Sequence, residues 1–327
     1  MKASEFGHVR KARITILMDN RADLLAQNMR GVRYFNRQPL LAEHGFSALV
    51  RLKDPDMTIL WDAGVTRHAL LENMRRMKIS PGLIEKIALS HGHSDHYMGL
   101  GEVLRAISPL DEPREWNPPV CADDVESWLM KRRIPLVLHP AALRERWAEK
   151  DDGTMQGPFE APPALEWESL GARIIKSEGP YQLATGCWTS GFIPRRSFEK
   201  SGRWDKLRYR EGDVFLADDL EEDQAIVIHV KGKGLVVLSG CAHAGIVNTV
   251  QHAREISGID RVWAILGGFH LARANTQEMR NTVAHIQALS PKLVMPMHCT
   301  GLAGIRLFAA EMPQAFVEGL VGITLSF

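Results

Sequence analysis

The sequence is short of every feature that would place it in a special class. Its four cysteines, Cys121, Cys187, Cys241 and Cys299, lie far apart and form no CxxC pair. That spacing excludes a zinc knuckle and a disulfide framework and fits reduced thiols. No apolar run approaches the roughly 20 residues that cross a bilayer, and residues 1–30 lack the apolar segment and cleavage pattern of a secretory signal. The expected location is therefore cytoplasmic, with no membrane partner. Neither sign of charge dominates, with 40 Lys and Arg against 39 Asp and Glu. No stretch gathers enough Lys and Arg for a groove that tracks phosphates, so nucleic acid is not an expected partner. Low-complexity linkers and short-period repeats are missing too. What is left is an ordinary globular composition, 45% hydrophobic and 24% charged, on a chain long enough to bury a full core.

Within that composition the punctuation is informative. Residues 12–18 (ARITILM), 46–52 (FSALVRL) and 58–62 (TILWD) are rich in β-formers and bounded by polar residues, Gly or Pro, so a strand meander is expected to open the fold. Apolar residues then fall at helical spacing over 66–77, Ser80 and Pro81 stop that helix, and 84–89 reads as another strand. From 108 to about 170 the pattern changes to a stretch rich in proline and tryptophan with mixed charges, which reads as an insertion capping a pocket. Regular patterning resumes with strands at 172–176, 225–230 and 235–238, the last two joined by a KGKG hairpin. Helices are expected at 246–256 and 276–289, and strands at 262–266 and 293–297. The expected organisation is one domain over 1–327 with the 108–170 segment inserted in it.

The strongest chemical signal is the run IALSHGHSDH at 87–96, where an apolar strand leads into three histidines and an aspartate within six residues. Alternation lets His91 and His93 point the same way, while Asp95 and His96 can turn at the start of a helix toward a second ion. Imidazoles and a carboxylate are what zinc, manganese or iron accept, and two such ions activate a water. Solvated or core histidines are the plain alternative. Three later strands also end in an imidazole: GCAH to His243, GGFH to His270 and MPMH to His298. Carboxyl ends of strands are where α/β folds build their sites.

HGHSDH resembles the HxHxDH signature of the metallo-β-lactamase superfamily, and WDAG at 61–64 is similar to the Asp-x-Gly turn that precedes it there. The further segments EHGFS (43–47), LHP (138–140), TSGFIPR (189–195), DDLEEDQ (218–224), GCAH (240–243), GGFH (267–270) and HCTG (298–301) narrow the resemblance. They point to a branch of proteins similar to the archaeal dihydropterin–ribofuranosylaminobenzene-phosphate synthase. The resemblance implies an αββα sandwich of two mixed sheets with helices outside. It implies two divalent metal ions, zinc first with manganese or iron also fitting, one held by His91, His93 and His243, the other by Asp95, His96 and His298. Asp62 would support the site from behind or simply terminate a turn. Where better-known members carry a bridging aspartate, Gly240 and Cys241 stand; Cys241 reads as a small core residue, with a thiolate ligand as the alternative. Asp95 would orient the water and His270 serve as an acid or base, or be structural. Arg195, and with it His139, would bind a phosphorylated substrate, against a basic turn and a structural histidine.

Three functions compete on these residues. The first is a hydrolase acting through activated water on a phosphoester, phosphodiester or related ester. The second is a synthase-like transferase with a pterin-like substrate, for which Trp188 or Phe192 would supply a stacking ring. The third is a non-catalytic metal-binding sensor or partner-binding module. The partner expected in the first two is a small molecule.

Overall fold

The computed structural model describes residues 2–29, 31–107, 133–202 and 204–327. The meander forms as the alternation dictates: β1 (Lys11–Met18), β3 (Ser47–Lys53) and β4 (Met57–Trp61) pair antiparallel in turn. β5 (Lys86–Ala88), β6 (Ile134–Leu138) and β9 (Ala172–Lys176) then add in parallel beside β4. On the other flank of β1 lie β18 (Thr324–Ser326) and β2 (Val32–Arg33), completing an eight-stranded sheet.

The second sheet has six strands, in the order β10 (Tyr181–Ala184), β11 (Cys187–Thr189), β14 (Ala225–Val230), β15 (Gly234–Ser239), β16 (Val262–Gly268) and β17 (Leu293–Met297). β14 and β15 form the expected hairpin, and β15, β16 and β17 are parallel. Their connections are the helices Ile246–Ser257 and Thr276–Ala288, so the strands that need crossovers are the ones followed by helical periodicity.

Burial sorts the residues of each strand by parity. Ile14, Ile16, Val50 and Trp61 from the first sheet meet Ile226, Ile228, Val236 and Leu266 from the second in one core between the sheets. The opposite parity of the first sheet, Leu17, Leu49, Leu60 and Leu136, packs under Leu70, Met74, Val103 and Trp167 of its helices. On the second sheet Val227, Val237 and Ile265 pack under Ile246, Val250, Ile286 and Phe308. Helix, sheet, sheet, helix is the αββα sandwich expected from the sequence.

The 108–170 span is not one insertion. Residues 108–132 lie outside the described residues. Ile134–Leu138 is an interior strand of the first sheet, and Trp167, on the helix Ala164–Ser169, is fully buried in that sheet's outer core. Proline at Pro135 and the short strand length hid this element. Among the described residues of this span, β7 (Arg146–Glu149) and β8 (Met155–Phe159) leave the sandwich, pairing with β12 (Leu207–Glu211) and β13 (Val214–Ala217) in a separate four-stranded sheet.

Candidate metal centre

Because β4, β5, β15, β16 and β17 run so that their carboxyl ends meet at one edge, the residues that follow them converge. Four of them turn abruptly there: Asp62 after β4, Ala242 after β15, His270 after β16 and His298 after β17 have left-handed backbone, with φ of 59°, 57°, 47° and 51°. A single residue in that region swings its side chain across the sheet edge instead of letting it alternate up or down. Gly240 lets the two sheets close, since a Cβ there would sit 2.2 Å from Ser90 Oγ and 2.9 Å from Asp62 Oδ2. β5 leads through Ser90–His93 into the short helix Ser94–Tyr97, with His93 at its cap position and Asp95 and His96 in its turn.

His91, His93 and His243 place one ring nitrogen each within 4.8 Å of one another. Hydrogen bonding assigns their protons. The Ser90 hydroxyl donates to Asp62 Oδ2 at 2.7 Å, so it can only accept from His91 Nδ1, 2.8 Å away. His243 Nδ1 lies 2.9 Å from the Gly202 carbonyl, which must accept. Both rings therefore present a lone pair on Nε2, and the two Nε2 atoms face each other at 3.3 Å. Two lone pairs aimed at one point are satisfied by a cation.

A second group is formed by Asp95, His96 and His298. Asp95 Oδ2 lies 3.7 Å from His96 Nε2 and 3.3 Å from His298 Nε2. Although close to that carboxylate, His298 Nε2 is a buried atom without an aligned hydrogen bond. His96 Nδ1 donates to Asp62 Oδ2 at 2.7 Å, while His298 Nδ1 meets Asn20 Oδ1 at 3.0 Å and its main-chain N–H donates to Asp19 Oδ1 at 2.9 Å. Here His298 Nε2 is left without a hydrogen-bond partner, and His96 Nε2 faces Cys241 Sγ at 3.2 Å. The donor set, oxygen and imidazole nitrogen with every outer nitrogen already bonded, fits divalent transition metals.

Charge follows the same division. Burial, with repulsion from neighbouring imidazoles, depresses His91 and His243, and burial and the Arg146 charge push His93 down to about 3, so these rings stay neutral. For His96 burial acts downward, but Asp95 and Asp62 outweigh it and lift the ring to about 9: two carboxylates demand positive charge at this spot. Burial alone would raise Asp95, yet the His96 and His298 charges hold it well below the usual carboxylate range.

Cys241 is buried, as expected of a core residue, but its Sγ is 3.2 Å from His96 Nε2 and within ligand reach of both groups. The His270 ring lies 4.2 Å from the His243 ring, tilted 44° to it, with Nδ1 buried and without a hydrogen-bond partner. Arg195 does not extend freely toward a substrate: its guanidinium donates to the His243 and Asp219 carbonyls. His139 Nδ1 accepts from Ala141 N at 3.2 Å and caps the turn Pro140–Leu143. It also lines a cavity of about 720 Å³ with Arg144, Phe192, Glu221 and His252. Of the two rings considered for stacking, Trp188 is occupied, lying against Phe6 and donating to the Phe6 carbonyl at 3.0 Å. Phe192 is 45% exposed on that cavity.

Several site residues carry no local signal in the sequence. Arg146, from the segment read as an insertion, is buried and bonds Asp218 at 2.9 Å and Glu222 at 2.6 Å. Glu222 in turn faces the Gly92 N–H at 3.4 Å, so this ion pair forms the floor of the His91–His93 loop. His44, within the EHGFS segment, stands at the mouth with Nε2 3.5 Å from Asp95 Oδ2. Asp19 and Asn20, which hold His298, follow β1 as an ordinary polar turn. Only the EHGFS and DDLEEDQ segments marked any of these places.

Residues 41–254 match the sequence pattern of the metallo-beta-lactamase superfamily. The chain is 29% identical over 294 residues to the 7,8-dihydropterin-6-methyl-4-(beta-D-ribofuranosyl)-aminobenzene-5'-phosphate synthase of Methanocaldococcus jannaschii, covering 88% of this chain and 92% of that protein. An uncharacterized protein of the same organism is 28% identical over 281 residues, covering 86% of this chain and 92% of its own length. Among solved structures the fold resembles Tm1679, described as a metal-dependent hydrolase of the beta-lactamase superfamily. Its TM-score is 0.66 at 22% identity, covering 96% of this chain and 98% of that one. Fold, edge and matched residues agree: the chain belongs to the metallo-β-lactamase superfamily.

Proposed function

We propose that the chain is a binuclear metal-dependent hydrolase acting on a phosphoester, phosphodiester or related ester of a small molecule. The observation that carries this reading is the convergence of four imidazole Nε2 atoms and one carboxylate on two adjacent points, where the His91 and His243 nitrogens face each other and His298 Nε2 has no hydrogen-bond partner. His91, His93 and His243 would hold one ion and Asp95, His96 and His298 the other, with zinc the first expectation. Cys241 Sγ stands between the groups as a further ligand in place of a core residue. Bound divalent cations supply two things, a lower pKa for an attacking water and polarisation of the substrate oxygen.

The chain's own residues do the rest. Asp62 and Ser90 fix the ring tautomers, so that no reorganisation is needed when substrate arrives. Asp95 accepts a hydrogen bond from the attacking water and aims it. His270, with Nδ1 bare and buried, donates a proton to the leaving oxygen. Arg195 acts as a positioning residue, tying the His243 loop to Asp219. The cavity lined by His139 and Phe192 shares the turn Pro140–Leu143 with the floor of the His91–His93 loop, and it receives the organic part of the substrate.

Elemental analysis of the purified protein beside His93→Ala, followed by an ester and phosphodiester screen, tests the reading. About two transition-metal ions per chain, reduced in the variant, and turnover of a panel member are expected; no metal after reconstitution overturns it. Cobalt substitution separates the roles of Cys241: a thiolate-to-cobalt absorption band lost in Cys241→Ser identifies a ligand, and an unchanged spectrum a core residue. A second reading, transfer onto a dihydropterin, is favoured by the similarity to the archaeal synthase along most of the chain. It predicts quenching of dihydropterin fluorescence that Phe192→Ala abolishes and Trp188→Phe does not, with no turnover on the ester panel.

A further inference from the structure

The far end of the first sheet carries a second feature that the metal chemistry does not use. Along β1 and β3 the inward parity is apolar, so Arg13, Thr15, Leu17 and their neighbours Leu49 and Arg51 face the helical layer. Leu17 and Leu49 are covered there by the helix Ala69–Arg76. That helix ends before it reaches the arginines. Arg13 and Arg51 are direct cross-strand partners, Ser326 is opposite Arg13 on the other side, and Arg33 is opposite Thr324. Arg37 joins them around a hollow of about 730 Å³, one wall of which is Phe35, Met77 and Ile79.

No acidic side chain among the described residues lines this hollow. Among the described residues none of the four arginines has a carboxylate partner, whereas Arg75, Arg105 and Arg144 each have one. Like charges directly opposite in an antiparallel pair oppose folding. Consistent with that crowding, burial and then the Arg13 charge lower the pKa of Arg51. A concave arrangement with an apolar wall concentrates the field instead of letting solvent disperse it. Guanidinium forks from three strands match the paired oxygens of phosphate groups, and of the Thr15 and Thr324 hydroxyls, bonded to each other at 3.0 Å, one keeps a free proton to donate on the floor. Asp19 at the proposed metal centre lies six positions beyond Arg13 along β1, roughly 20 Å at the rise of a strand.

We propose that this hollow is a binding site for an oligophosphate-bearing small molecule, held by Arg13, Arg33, Arg37 and Arg51 and separate from the metal centre. A compact polyanion replaces the missing carboxylates and relieves the arginine repulsion. The net charge of the whole chain conceals the site because its arginines come from three separate segments.

Isothermal titration of the metal-loaded protein with inorganic tripolyphosphate at low salt tests it. One molecule per chain is expected to bind, weakened about tenfold or more in Arg51→Ser and further in the Arg13→Ser, Arg51→Ser double variant. Binding is expected to persist in His93→Ala, which impairs the metal centre and leaves the hollow intact. Absence of binding, binding indifferent to the arginines, or binding lost in His93→Ala each overturns the proposal. Thermal melting adds a readout of opposite sign. Without ligand Arg51→Ser melts at or above the parent, and tripolyphosphate raises the melting temperature of the parent alone. A lower melting temperature of ligand-free Arg51→Ser assigns the arginines a structural role and overturns it too.

Discussion

The two ligand groups share one sheet edge but are supported by opposite means. His91 and His243 rest on a hydroxyl and a carbonyl, both neutral, and the Arg146 charge lies beneath their loop. His96 rests on the carboxylate of Asp62, and His298 follows an amide and the carboxylate of Asp19. One pocket is thus a set of neutral imidazoles with no negative charge of its own. The other carries its own anions and calls for a cation before any arrives. An ion in the second pocket should be held more tightly, and its supports should matter more.

Mutations can break or sharpen that contrast. The largest effect is expected for His96→Ala, which removes a ligand from the carboxylate-rich pocket: kcat/KM falls about a thousandfold on the substrate found in the ester screen, and one ion of two is lost. Next comes Arg146→Met, which leaves Asp218 and Glu222 buried without their partner under the neutral pocket. Denaturant unfolding should show a loss of about 3 kcal/mol. Asp62→Ala is expected to weaken the more tightly held ion by about 100-fold, and Ser90→Ala to weaken the other by about tenfold, measured by competition with a chelating dye. Equal effects would remove the distinction between the pockets. The smallest effect is in pH. His93 has an ordinary value of 6.5 that falls to about 3 in the fold. A base depressed on folding contributes stability that is full above 6.5 and lost as the pH drops toward 3. Melting of the metal-free protein should therefore decline through that window, with a shallower decline in His93→Asn.

Much of this arrangement is readable from the sequence, and the reasons are local. The 87–96 run combines strand, turn and ligand signals within ten residues, and the three later strands end in histidine because parallel strands must end at one edge. What escapes is whatever depends on residues distant in the chain. β6 looks irregular because Pro135 interrupts it, although its Leu136–Leu138 are fully buried. Arg146 lies more than fifty residues from the Gly92 loop it supports, across a segment that reads as irregular. Trp188 looks available for stacking until Phe6, from the other end of the chain, covers it. Charge counting missed the arginine hollow for a similar reason: strand register, not sequence adjacency, puts Arg13 against Arg51.

The left-handed residues at the strand ends set the limits on how this protein can change. Asp62, His270 and His298 combine the roles proposed for them with a backbone conformation that side chains other than glycine avoid, at about 1–3 kcal/mol each. Relief is available only by surrendering the side chain, since glycine would relax the turn and delete the proposed ligand, proton donor or support. Selection for heat resistance alone would therefore erode this rim first, while the sandwich behind it grew more robust. Variants that gain stability and keep the chemistry must find it in the layers away from the edge.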